Sequence, residues 1–174
     1  ASAIVAEAQD RDYDLIIIFD QDNGQLADIE QIVRYTREGG HLLYLGNGNE
    51  SPDSVLQEHA ALFGIEKWGI VAAAGGVDFQ TELLSGLTGV TALSGANGTL
   101  DDMLNPRLVS LSDGCFVHAS DLEGHPIIWE SREDGNIMVF NTGSIGDKRM
   151  RGLMAGAISV FMGSVIYPVT QSAV

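Results

Sequence analysis

Two unbroken apolar runs constrain this chain more than any other feature: Asp14-Leu-Ile-Ile-Ile-Phe-Asp20 and His41-Leu-Leu-Tyr-Leu-Gly46. A run without polar alternation marks a strand covered on both faces, as in a parallel sheet. Between them lie the turn Gln21-Asp22-Asn23-Gly24 and a helical repeat of Leu26, Ile29, Ile32, Val33 and Thr36. Glu38-Gly39-Gly40 then stops the helix with a C-terminal glycine. A second helix follows, with Ser51 as N-cap and Pro52 at the first helical position. Val55, Leu56, Ala60, Leu62 and Phe63 supply its apolar side, and Gly64 ends it. Two successive strand–helix units are the βαβ signature of an α/β domain, and a right-handed crossover makes the two strands parallel neighbours.

Farther along, Ile65 to Ala74 holds one or two short strands, Phe79 to Gly89 a short helix, Gly89 to Leu93 a turn into a strand, and Asn97 to Arg107 a loop or short helix. Cys115–Ala119 and Pro126–Glu130 read as strands joined by a turn at Glu123-Gly124. Glu133-Asp-Gly135 is a hairpin turn into the strand Asn136–Asn141. Asp147 caps a last helix from Lys148 to Met162, and Val165–Val169 is extended. The expected fold is a flavodoxin-like three-layer α/β sandwich, its sheet mostly parallel with an antiparallel hairpin in the C-terminal part. One domain spans 1–174. A helix over Ser2–Gln9 with no strand before it, and strand-like sequence cut at Val174, point to a piece of a longer protein.

Charge excludes some partners. The chain carries 24 Asp+Glu against 9 Lys+Arg, a net charge of -15. That balance disfavours nucleic acid and anionic membrane surfaces. The stretch Leu153–Tyr167 is too short and too broken by glycine and serine for a membrane span, so no membrane insertion is expected. A single cysteine, Cys115, rules out an internal disulfide and a CxxC motif.

Tyr13 to Gly46, with its Tyr-Asp-apolar strand, acidic turn, helix and Arg37-Glu38-Gly39-Gly40 leading into a buried strand, resembles the class I glutamine-amidotransferase-like superfamily. It is similar to the noncatalytic or divergent members, such as ThuA-like proteins and the trimerisation domains of some β-galactosidases. Asp134-Gly-Asn-Ile-Met-Val-Phe-Asn141 looks like that superfamily's late strand. Arg151-Gly-Leu-Met and Tyr167-Pro-Val-Thr-Gln-Ser-Ala-Val174 look like the junction into a polysaccharide deacetylase module, as in bacterial exopolysaccharide proteins of the Pel type.

The resemblance implies a nucleophilic cysteine at a strand-to-helix elbow and a histidine after the late strand. Here the elbow reads Gly46-Asn47-Gly48-Asn49, and the late position is Asn141 or Thr142. A carboxamide cannot attack an acyl carbon, and neither Asn141 nor Thr142 can act as base. Cys115 begins a strand far along the chain and reads as a small buried hydrophobe. No catalytic residue is expected.

Polar residues do gather beyond the strand ends, where open α/β sheets bind ligands. Asp20 and Asp22 follow the first strand, Asn47 and Asn49 the second, and Asn141 and Asp147 the late one. They form a candidate crevice for a sugar, a cation or a partner loop. The competing reading makes Asp20 and Asp22 an Asx turn and Asp147 a helix cap. Asp20-Gln-Asp22-Asn-Gly24 partly matches a calcium loop but lacks its distal acid. His41, His59, His118 and His125 show no metal-ligand spacing, although His118 and His125 can meet across a turn. No metal or cofactor is expected. Trp129 lies within an apolar strand and reads as core; Trp68 can stack on a sugar if exposed.

The missing catalytic residues point to a noncatalytic accessory domain, and the resemblance to the Pel-type group implies that it belongs to an exopolysaccharide-modifying protein and, with that, an extracytoplasmic location. Its partners are a neighbouring domain of the same polypeptide and polysaccharide. The alternatives are a divergent hydrolase using the carboxylate crevice, and a subunit-interface module.

Overall fold

The computed structural model describes residues 13–19, 29–46, 55–72, 77–79, 107–121, 123–133, 135–141 and 148–163. In chain order these form β1 (Leu15–Phe19), α1 (Ile29–Arg37), β2 (His41–Leu45), α2 (Val55–Glu58), β3 (Ile65–Ala72), β4 (Val77–Phe79), β5 (Arg107–Leu111), β6 (Cys115–Asp121), β7 (Pro126–Ser131), β8 (Asn136–Phe140) and α3 (Lys148–Phe161). Six strands make one sheet in the order β1-β2-β8-β7-β6-β4, and β3 pairs with β5 in a second. Among the described residues no helix is long and apolar enough to cross a membrane.

The βαβ unit is where the sequence places it. β1 and β2 are parallel, with Leu15 opposite His41 and Phe19 opposite Leu45. The helix between them ends in a Schellman motif. Gly39 takes the positive φ of 105°, its N–H donates to Thr36 O, and the Gly40 N–H donates to Tyr35 O. Gly40 is also a close approach, because an added Cβ would lie inside the Tyr35 ring. The Tyr35 hydroxyl in turn donates to Tyr13 O at 2.8 Å and anchors the entry to β1.

The sheet is mixed, which corrects the mostly parallel expectation. β8 joins β2 in parallel, but β8–β7, β7–β6 and β6–β4 are all antiparallel. For β6, β7 and β8 the physical cause is connection length. β6, β7 and β8 follow one another through tight turns at Gly124 and Gly135, and short turns permit only antiparallel neighbours. Residues 65–72 form one strand, and its partner Arg107–Leu111 is a strand that the sequence did not announce. The expected elements over 2–9, 89–93 and 165–169 lie outside the described residues, as does the start of the second helix; of those expected over 79–89 and 97–107 only Phe79 and Arg107 are described, and both belong to strands, β4 and β5.

Strand alternation divides the core in two. Leu42, Tyr44, Ile137, Val139 and Trp129 face one way and pack with Ile32 and Tyr35 of α1 and with Leu56 and Phe63. Leu43, Leu45, Met138, Phe140 and Ile128 face the other way and pack with Ala157 and the flanking Met154, Ile158 and Phe161 of α3. Helices therefore cover both sides of the sheet. β2 and β8 are interior strands of the sheet, and burying each such side chain stabilises the fold by about 1.5–3 kcal/mol. Trp129 is core, as its sequence context predicts, and its Nε1–H donates to Phe63 O at 2.8 Å.

Candidate functional site

The register brings the ends of β1, β2 and β8 level at Phe19, Leu45 and Phe140, so Gly46 and Asn141 share one rim of the sheet. Gly46 continues β2 there, its N–H donating to Phe140 O at 2.8 Å. Asn141 continues β8, its N–H donating to Ile127 O at 2.9 Å, and it is buried. The elbow glycine and the late-strand Asn141 are thus neighbours on adjoining parallel strands. Asp20, Asp22, Asn47, Asn49 and Asp147 lie outside the described residues, so Asn141 is the one candidate crevice residue whose surroundings are known. The calcium-loop candidate over 20–24 lies outside them too.

Cys115 is at the other end of the sheet. β6 runs in the same direction as β2 and β8, and Cys115 starts it opposite Ser131, which is opposite Ile137. Its Sγ lies 3.6 Å from both Gly64 O and Ser112 Oγ, against the core. Gly64, with φ of 72°, leaves room for that sulfur: a Cβ there would overlap Sγ. The thiol is a packing group, remote from the elbow.

The histidines are not gathered. His41 packs edge-on against Phe161 at 4.9 Å, while His59 and His125 sit 4.0 and 3.9 Å from Glu58 and Glu123. Among the described residues no three metal-ligating side chains come together. Trp68 is half-buried against the core.

The structure adds a site the sequence reading missed. Val117 pairs with Trp129 and Ala119 with Ile128, so β6 takes two steps while β7 takes one. His118 is the extra residue of this β-bulge. Its Nε2 lies 2.9 Å from Glu130 Oε1, with both side chains buried. Arg132 closes the cluster, donating to Glu130 Oε2 from Nε at 3.1 Å and from Nη2 at 2.8 Å. Burial pushes the Glu130 carboxyl upward, but the bonds from His118 and Arg132 outweigh it and hold the group below the ordinary carboxylate range. A signal was present: His118 and Glu130 lie equally far on either side of Gly124, the turn of the hairpin. The bulge that turns His118 toward the carboxylate has no such signal.

No protein-family model matches the chain, and no curated protein does. Solved structures do resemble it. A putative ThuA-like protein from Bacteroides uniformis superposes with a TM-score of 0.50 at 11% identity, over 86% of this chain and 69% of its own. A cytoplasmic protein from Salmonella typhimurium superposes with 0.52 at 14% identity, over 90% and 74%. An exo-beta-1,4-mannosidase from an Opitutaceae bacterium gives 0.46 at 16% identity; the match covers 88% of this chain and spans 25% of that enzyme's length. At these identities the likeness is one of architecture: the chain shares the α/β fold of the ThuA-like protein.

Proposed function

We propose that this chain is a noncatalytic accessory domain of amidotransferase-like, flavodoxin-like architecture. It works within a larger bacterial carbohydrate-active protein that modifies an exopolysaccharide outside the cytoplasm. Its tasks are to pack against a neighbouring deacetylase module and to hold glycan. The observation that carries this reading is the chemistry at the rim of the parallel strands. The elbow after β2 reads Gly46-Asn47 and the end of β8 reads Asn141-Thr142, so the thiol position holds a carboxamide that cannot attack a carbonyl and the imidazole position holds no group that can take a nucleophile's proton. Cys115, the lone thiol of the sequence, packs at the opposite end of the sheet. The glycan and deacetylase context rests on the resemblance of residues 151–154 and 167–174 to a deacetylase junction.

The test is an assay of the purified chain on ester, amide and N-acetylhexosamine substrates. Rates equal to buffer are expected. Turnover that disappears in Asp20→Asn, Asp22→Asn or Asp147→Asn would establish the divergent hydrolase instead.

A further inference from the structure

The His118–Glu130–Arg132 cluster takes no part in the strand-end crevice, and one of its atoms is unanswered. A carboxylate only accepts, so Nε2 of His118 carries the shared proton and Nδ1 is left as the second polar atom of the ring. That Nδ1 is buried without a partner. Native structures seldom leave such an atom unpaired, because the lost hydration is not replaced. Phe116 packs edge-on to the same imidazole, ring centroids 4.9 Å apart at 76°, yet it is 53% exposed. Beside it Arg132, its side chain 71% exposed, spends Nε and Nη2 on Glu130, and Nη1 lies outside those bonds. Phe116 is opposite Glu130, and Glu130 is opposite Met138, so the cluster lies on the α3 side of the sheet.

Charge and polarity together select a ligand. Glu130 already neutralises Arg132, and the net charge of -15 repels anions. A cation meets no exposed carboxylate in the cluster, since Glu130 is buried. A wholly apolar ligand leaves both the guanidinium and the His118 Nδ1 unanswered. A neutral ring with an apolar C–H face and a rim of hydroxyls answers all three groups. Its face stacks on Phe116, and its hydroxyls meet Arg132 and, directly or through one water, His118. We propose that Phe116, His118 and Arg132, held in place by Glu130, form a subsite for a neutral pyranose. This inference deepens the glycan-holding part of the proposed function and rests on it.

The experiment is an NMR titration of the isotope-labelled chain with three neutral trisaccharides, of glucose, of galactose and of N-acetylglucosamine, up to about 10 mM. At least one sugar is expected to shift the Phe116 ring, the Arg132 Nε–H and the His118 Nδ1 nitrogen together. Phe116→Ala should weaken that binding about tenfold, while Phe116→Trp retains it. Phe116 is half-exposed, so neither variant threatens the fold. Shifts confined to other residues, an unchanged affinity in Phe116→Ala, or no shift with any of the three sugars overturns the subsite. Those results leave the noncatalytic reading standing, because the hydrolysis assay decides it separately.

Discussion

Glu130 shows how a buried charge is kept in this fold. Two partners hold it, one buried and one exposed, and their bonds exceed the cost of desolvation, so the folded state lowers its pKa. A carboxyl with a depressed folded value stabilises the fold fully above its unfolded value near 4.3, and that stability drains away as pH falls through the lower folded value. Glu130→Gln is therefore expected to cost about 2 kcal/mol at neutral pH. The figure sits below the usual cost of breaking a buried pair because exposed Arg132 keeps its water. Urea unfolding of both proteins should show the gap narrowing as pH is lowered from about 6 to about 3. A gap of constant size would mean that the carboxylate is not what the cluster stabilises. At this same scale the sequence was readable for Trp129, whose apolar neighbours announce the core. It was silent on Glu130, because an acid at the end of an apolar strand reads as exposed unless its partner across the hairpin is known.

Among the elements, those with purely local causes were legible. β1 and β2 announce themselves by unbroken apolar runs, α1 by its repeat and by Gly39, and the β6–β8 meander by the turns at Gly124 and Gly135. β3 and β5 were harder, because Ile65 meets Leu111 across a long stretch of chain and nothing local in Arg-Leu-Val-Ser-Leu111 names its partner. The parallel share of the sheet was overstated for a related reason. Apolar runs report burial on two faces, not the direction of the neighbour. A two-stranded sheet is marginal by itself, whereas β2 and β8 are bonded on both sides and covered by helices. Hydrogen exchange should follow that order. Amides of β2 and β8 are expected to open only with global unfolding, and those of β3 and β5 earlier and separately. Equal protection in both sheets would show that the second sheet is an inseparable part of the core.

At the scale of the whole molecule, an α/β body that shares the fold of a ThuA-like protein carries Gly46-Asn47 after β2 and Asn141-Thr142 after β8, and the proposed function rests on those residues. Of the candidate crevice, the rim shared by Gly46 and Asn141 follows from β2 and β8 being parallel neighbours, which the two strand patterns allow but do not state. The most direct measurement is intact-mass spectrometry of the purified chain after exposure to an electrophilic glutamine analogue and to an acyl phosphonate. The proposed noncatalytic reading predicts an unchanged mass, because Asn47 and Asn141 stand where that reading places the lost thiol and imidazole. A single stoichiometric adduct mapping to residues 46–50 or 141–147 would contradict it.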